Sequence, residues 1–272
     1  MYKIAICVRN RLGVTKKCIE AIKRHSVLEN QIYIFDNLTD YRVRDHFEYF
    51  CKLHSKGMIC QYVVNSKQST YNAFSKAVAL NHFGLMHEMD PLNKETDFLV
   101  FLDNDIIVTP QWDKIISMAW KDLDKHKLKS IKVVGQLPGG IKFKKPIRFT
   151  IAGMKAKIGK FGGSGLWAVK SDFFKDVGYL DISKLVGKNK QHDQHYWKKM
   201  DKKNNGREYI IGLETKLGIH VGKMAGSVCN RLHSSKLNND ISFKEADKNI
   251  EELKFDDFYN YIINDKGMFN DW

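Results

Sequence analysis

The sequence has no apolar run approaching the roughly 20 residues needed to cross a bilayer as a helix, no low-complexity tract and no Cys-x-x-Cys pair. The first absence excludes a helical membrane span, and the second argues against wholesale disorder. Its five cysteines (Cys7, Cys18, Cys51, Cys60, Cys229) are scattered and odd in number. That pattern favours reduced thiols in a cytoplasm over a disulfide scaffold or a zinc site. The opening MYKIAICVRN has no signal-peptide anatomy and reads directly as a strand.

What is present is a chain of 272 residues with a hydrophobic fraction of 43%, long enough for one large domain or a domain with an extension. The formal charge is +14 and unevenly placed. From Lys121 to Lys170 there are thirteen Lys or Arg against two acids, whereas Leu237 to Trp272 holds nine acids against four lysines. Scattered lysines keep a protein soluble, but a block this lopsided faces a polyanion: nucleic acid, an acidic polymer or anionic lipid.

Periodicity gives a strand over Lys3–Val8, then a helix through NRLGVTKKCIEAIKRHS with Thr15 as its cap. QIYIFDN is a second strand, Arg42–Lys56 a helix, ICQYVVN a third strand, and STYNAFSKAVAL a helix starting at Ser69 or Thr70. The apolar strand Phe98–Leu102 follows. Strands and helices alternating in this way predict a mainly parallel α/β sheet. Ligands of such sheets gather beyond the carboxyl ends of the strands, where Asp36, Asn65 and Asp103 fall. Downstream come a strand at Leu166–Val169, a helix opening at Ser171, a turn at Gly178, a helix from HDQHYWKKM, a short strand LGIHVG and a helical acidic C-terminus.

The stretch FLVFLDNDIIVTPQW sends five apolar residues straight into Asp103-Asn104-Asp105. Two carboxylates two residues apart on an extended backbone project to one side and repel each other unless protons or a cation intervene. Oxygen ligation suits a hard ion such as Mg²⁺ or Mn²⁺. A solvated Asp-Asn-Asp turn is the plainer alternative.

In its setting this stretch resembles the DxD segment of GT-A glycosyltransferases, family 2 in particular, in which a P-x-W turn often follows. Other pieces match in order: KIAICVRNR the first strand, IYIFDNLTD the strand ending in a base-reading acid, VVNSKQSTYNAFSKAV the asparagine-bearing segment. GLWAVKSDFFKDVGYLD, HDQHYW and LGIHVG then resemble the family's later motifs. The resemblance covers roughly residues 1–225. It implies a Rossmann-like GT-A domain with a nucleotide-sugar-binding half (1–112), an acceptor-side half (113–225) and a helical extension (226–272). It implies an enzyme that transfers a sugar from a nucleotide sugar, a UDP-sugar, with Mn²⁺ or Mg²⁺ and with inversion. Arg9, Asn10 and Arg11 would border the nucleoside pocket and Asp36 would read the base. Asn37, Asn65, Asn72 and Asn104 fall in the matching donor segments. Asp103 would hold the ribose, or the metal through water, Asp105 would bind the metal directly with His220 as third ligand, and Asp193 would be the general base.

The match has departures. His192 stands where the family has Glu, Ile182 where it has an acid, and the glycines expected around Asn72 are replaced, with Gln68, Ala73 and Lys76 nearby. On the acceptor side, Lys144, Lys145, Arg148, His192 and Trp167 combine charge with stacking surfaces suited to phosphate and base or sugar contacts. Hydroxymethylated phage DNA is the favoured acceptor, in a bacterial cytoplasm or a phage-infected host cell. A surface polysaccharide or lipid-linked glycan on an anionic membrane is the alternative. A non-catalytic polyanion-binding module on the same fold also stays open, whereas a nucleotidyltransferase needs a Gly-rich loop that VRNRLGVTKKC does not supply.

Overall fold

A computed structural model of the chain describes residues 1–37, 39, 42–64, 72–136, 147–159, 165–182, 192–205, 209–221 and 243–264. The strands are β1 (Tyr2–Val8), β2 (Asn30–Asp36), β3 (Gln61–Val64), β4 (Phe98–Asp103), β5 (Ile106–Val108), β6 (Val133–Gln136), β7 (Ile147–Ile151), β8 (Met154–Gly159), β9 (Leu166–Lys170), β10 (Ile210–Leu213) and β11 (Gly218–His220). The helices are α1 (Leu12–His25), α2 (Val43–Ser55), α3 (Asn72–Met89), α4 (Trp112–Lys125), α5 (Phe173–Val177), α6 (His192–Lys203), α7 (Phe243–Glu252) and α8 (Phe255–Asn264). A 3₁₀ turn spans Pro91–Glu95.

Among the described residues, nine strands form one sheet in the order β3-β2-β1-β4-β9-β6-β10-β8-β7, and β5 and β11 form a two-stranded ladder. β1, β2, β3 and β4 are parallel neighbours. Only β9 and β8 run against the rest, so the sheet is mainly parallel. Period-two alternation divides β1 and β4 between two cores. Ile4, Ile6, Val100 and Leu102 face a core shared with α1, α2, α4, α7 and α8. Ala5, Leu99 and Phe101 face a second core with α3, α5 and α6. Burial on both faces is why these strands read as near-continuous apolar runs.

Two local expectations are corrected. Thr15 does not cap α1, which begins at Leu12 after Asn10 (φ 54°) and Arg11 (φ 57°), both left-handed. Thr15 lies one turn inside, where its hydroxyl donates to the Arg11 carbonyl (2.8 Å). The helix expected from Ser171 starts at Phe173. Ser69 and Thr70, expected at the start of α3, lie outside the described residues.

Within the described residues 243–264 the acidic C-terminal part forms α7 and α8 and has a structural task. Ile250, Phe255, Phe258 and Ile262 are buried in the core beneath α1. Glu251 ties Lys16 and Arg42 together, with the Arg42 bond at 2.5 Å. Among the described residues, the cysteines Cys7, Cys18, Cys51 and Cys60 are free, and no helix is long and apolar enough to cross a membrane.

At the opposite edge of the sheet, Lys3 is fully buried. Its ammonium donates to Asp90 at 2.5 Å and lies 3.4 Å from His87 Nδ1. A lysine has no lone pair to offer, so Nδ1 accepts and the neutral ring's Nε2–H donates to the Ser171 carbonyl at 2.9 Å. Burial, then the Lys3 charge, hold the His87 pKa below the usual histidine value. The Lys3 hydrogen bond and the Leu92 amide hold Asp90 low.

A histidine kept neutral in the fold binds fewer protons than its unfolded counterpart. Stability should therefore fall as pH drops below about 6.5, the unfolded value, and fall again once Asp90 protonates below the ordinary carboxylate range. His87→Gln can keep both hydrogen bonds without titrating. Its melting temperature is expected to fall less than that of the wild type between pH 7 and 5, the remaining decline coming from other buried histidines such as His46. Parallel declines in thermal melts of the two proteins would refute the assignment.

Candidate active site

Register sets the site. Val8 pairs with Asp36, Asp36 with Val64, and Cys7 with Asp103, so the ends of four parallel strands align at one edge. Arg9, Asn37 and Asn104 follow directly from that edge. Asp36 is 3% exposed. Its Oδ1 accepts from the Thr39 amide (3.0 Å) and hydroxyl (2.8 Å), and its Oδ2 from the Tyr62 phenol (3.2 Å). Thr39 Oγ1 also accepts from the Asn10 amide at 3.2 Å and lies 3.4 Å from His46 Nδ1. One hydroxyl therefore couples the β1–α1 loop, the end of β2 and α2.

The second cluster is the acidic corner. After β4 the chain turns through Asn104 and Asp105 into β5, which pairs antiparallel with β11 so that His220 opposes Ile106. The Val221 amide donates to the Asp105 carbonyl at 2.8 Å, continuing that ladder into the turn. Gly218 permits the close approach, because a Cβ there would lie 2.6 Å from Ile106 Cγ2. These links bring His220 Nε2 within 3.3 Å of Asp105 Oδ1. Asp105 Oδ2 accepts from Arg11 Nη1 at 2.5 Å, and Asp103 Oδ1 accepts from the Lys76 ammonium.

The charges explain one another. Burial raises Asp103, and the Asp105 charge adds to that against the pull of Lys76. Burial also works to raise Asp105, but the hydrogen bond and charge of His220, with Arg11 and Lys76, hold it below the carboxylate range. His220 lies above the ordinary histidine value because Asp105 outweighs burial. Lys76 is likewise raised, Asp103 overcoming the burial that would lower it.

Among the described residues no three His, Cys, Asp or Glu side chains form a finished cation cage. The donors nevertheless fit a divalent ion in kind: two carboxylates and an imidazole at one corner, with Lys76 and Arg11 currently neutralising the acids.

The loop that carries Arg11 is held from behind. Asp247 of α7 accepts from the Gly13 and Val14 amides, both at 3.0 Å, and so caps α1 from a distant part of the chain. A side chain at Gly13 would meet the Asp247 carbonyl at 2.0 Å. Two successive left-handed non-glycine residues are unfavourable; the cap and the Thr39 contact hold them in place.

Of the residues expected from the sequence, Arg11, Asp103, Asp105 and His220 meet at the corner, and Asp36 and Asn37 lie along the same edge. Arg9 and Asn10 form the loop between them. Two expectations are corrected. Trp167, expected to bind the acceptor, is 1% exposed. Its ring packs on Phe101 at 4.5 Å and on Phe173 at 6.1 Å, because β9 is a central strand buried on both faces. Asn104, expected among the donor-binding residues, turns inward and donates to the Thr15 hydroxyl at 2.8 Å. Asn65, Lys144 and Lys145 lie outside the described residues. Asn72, Arg148, His192 and Asp193 fall in α3, β7 and α6 at positions whose side chains are likewise outside the description. Sequence reasoning missed Lys76, Thr39, Tyr62 and Asp247. Only Lys76 carried a signal, as a cation beside Asn72 where the family pattern has small residues.

Asp247→Ala should lower stability by about 1–3 kcal/mol, the cost of leaving buried amide donors without acceptors. Asp247→Asn, which keeps an acceptor, should lose less. Chemical denaturation of the three proteins checks this, and equal stability would show that the cap is dispensable.

No family model matches the chain, and no curated protein does. Solved structures do. The chain aligns with TarS of S. aureus at 13% identity and TM-score 0.51, over 97% of this chain and 43% of TarS. It thus spans less than half the length of that protein. The mannosyltransferase PcManGT of Pyrobaculum calidifontis, solved with GDP-Man and Mn²⁺, aligns at 11% identity and TM-score 0.53, over 96% of this chain and 72% of that one. GalNAc-T7, solved with UDP, GalNAc and Mn²⁺, aligns at 12% identity and TM-score 0.55, over 97% of this chain and 56% of that one. At these identities the likeness is one of architecture, and with the mixed, mainly parallel sheet it establishes that the chain has the GT-A fold of nucleotide-sugar glycosyltransferases.

Proposed function

We propose that the chain is a divalent-metal-dependent glycosyltransferase that moves a sugar from a nucleotide sugar, a UDP-sugar, to an acceptor hydroxyl with inversion. The observation that carries this reading is the contact of Asp105, in the turn after β4, with His220 of β11, next to Asp103 at the carboxyl edge of a GT-A sheet. The structures of TarS with UDP, PcManGT with GDP-Man and Mn²⁺, and GalNAc-T7 with UDP and Mn²⁺ support the donor and metal classes.

Asp103, Asp105 and His220 would hold Mn²⁺ or Mg²⁺, which when bound supplies Lewis-acid stabilisation of the charge on the departing diphosphate. Asp36, fixed by Thr39 and Tyr62, accepts the imide N–H of uracil on its remaining lone pair. Arg9 and Asn10 border the nucleoside. Asp193 takes the proton of the acceptor hydroxyl as the acceptor oxygen bonds to the anomeric carbon. The bond from that carbon to the phosphate oxygen breaks at the same time, and its electron pair leaves with the nucleoside diphosphate. Attack opposite the leaving group inverts the centre.

The acceptor is read from charge. Lys144, Lys145, Arg148 and His192 lie in or beside the basic stretch between the acidic corner and Asp193. They suit a polyanion, with hydroxymethylated DNA preferred over a glycan on an anionic surface. A second reading, a polyanion-binding module without chemistry, is favoured by one observation: both acids of the corner already have internal cationic partners.

Asp105→Ala should abolish Mn²⁺-dependent turnover of UDP-sugars. Asp193→Asn should keep UDP binding but lose transfer by at least about 100-fold, the low end for a positioned base. Full turnover in Asp105→Ala with chelator present would reject the metal role. Salt-sensitive DNA binding without turnover of any nucleotide sugar would favour the module.

A further inference from the structure

We propose that Lys76 is a diphosphate-binding residue, paired with Asp103 in the resting site and handed to the donor's phosphates when a divalent ion takes that carboxylate. The inference rests on the transferase reading above and adds a residue and an exchange step to it.

Three observations lead there. Lys76 lies in the early part of α3, and its side chain is only 13% exposed. Its ammonium meets Asp103, not solvent or a helix carbonyl. An ion cannot gain Asp103 Oδ1 while the ammonium holds it, so Lys76 must let go. A largely buried ammonium without an anion is costly, so the released group needs a new partner in the same corner.

Second, the charges balance before any ligand arrives. Asp103 and Asp105 are offset by Lys76 and Arg11, and His220 adds a further positive charge when protonated. A divalent ion alone would leave the corner strongly cationic, whereas an ion arriving with a diphosphate restores balance.

Third, the backbone anion site of this fold class is closed. In open α/β sheets the first β–α turn and the N-terminus of its helix commonly hold phosphates. Here the Gly13 and Val14 amides of α1 already bind the Asp247 carboxylate. Side-chain cations must hold the diphosphate instead. Lys76 and Arg11 are the ones poised on the acids; Arg11 is tethered to a capped, left-handed loop, whereas Lys76 is on a flexible four-carbon stem.

The test is binding, read separately for ion and nucleotide. Mn²⁺ alone is titrated by loss of its free EPR signal, and UDP, UMP and uridine by calorimetry at fixed Mn²⁺, on the full chain and on Lys76→Met and Lys76→Arg. Lys76→Met is expected to bind Mn²⁺ alone at least about 10-fold more tightly, because its competitor is gone. It should bind UDP with Mn²⁺ at least about 10-fold more weakly and uridine unchanged. Lys76→Arg should recover most of the UDP affinity, and it serves as the folded reference should Lys76→Met melt early. Equal weakening of UDP, UMP and uridine would make Lys76 structural and overturn the proposal. Unchanged UDP and Mn²⁺ affinity in Lys76→Met would overturn it too, leaving the transferase reading intact. Failure of the wild type to bind UDP at all would sink the transferase reading and this inference with it.

Discussion

Placing a buried carboxylate, Asp105, beside a half-buried one, Asp103, at the end of a central strand is tolerable only because cations converge on them. Asp103 and Asp105 lie in a corner where an uncompensated charge would be costly, and Lys76, Arg11 and His220 come from three other segments to meet them. Much of the local architecture serves this convergence. The β5–β11 ladder delivers His220, α3 delivers Lys76, and the left-handed entry to α1 aims Arg11. The site is thus an electrostatic balance first and a binding pocket second, and any ligand must keep the balance.

This explains why the corner carries both a metal-like donor set and its internal replacement. Oxygen and imidazole donors alone would favour permanent occupancy by a cation. With an ammonium and a guanidinium among them, the carboxylates stay compensated when no ion is present.

Much of the sheet was legible in the sequence, because β1, β2 and β4 are apolar runs that stop at polar or acidic residues. In a parallel sheet those stops fall at the functional edge. The DxD-like pair stood out for the same reason, whereas His220 was singled out only by the family resemblance. What escaped depends on contacts between segments far apart. Trp167 seemed an exposed stacking residue because lysines surround it in sequence. Yet LWAVK is apolar on both faces up to its final lysine, the mark of a central strand, and its neighbour is Phe101. Thr15 looked like a cap because Thr favours that position; the true cap, Asp247, lies outside any local window. Lys76 stood out only as a misfit, and its partner is 27 residues away.

The closure of α1 by α7 also has a consequence in time. Val14 and Asp247 are 233 residues apart, so on a ribosome adding about 5–20 residues per second the capping acid is made roughly 10–50 s after the amides it serves. Until then the nascent first helix has a bare positive end, and the loop bearing Arg11 lacks its anchor. The helices α7 and α8 thus complete a corner whose other parts were synthesised long before.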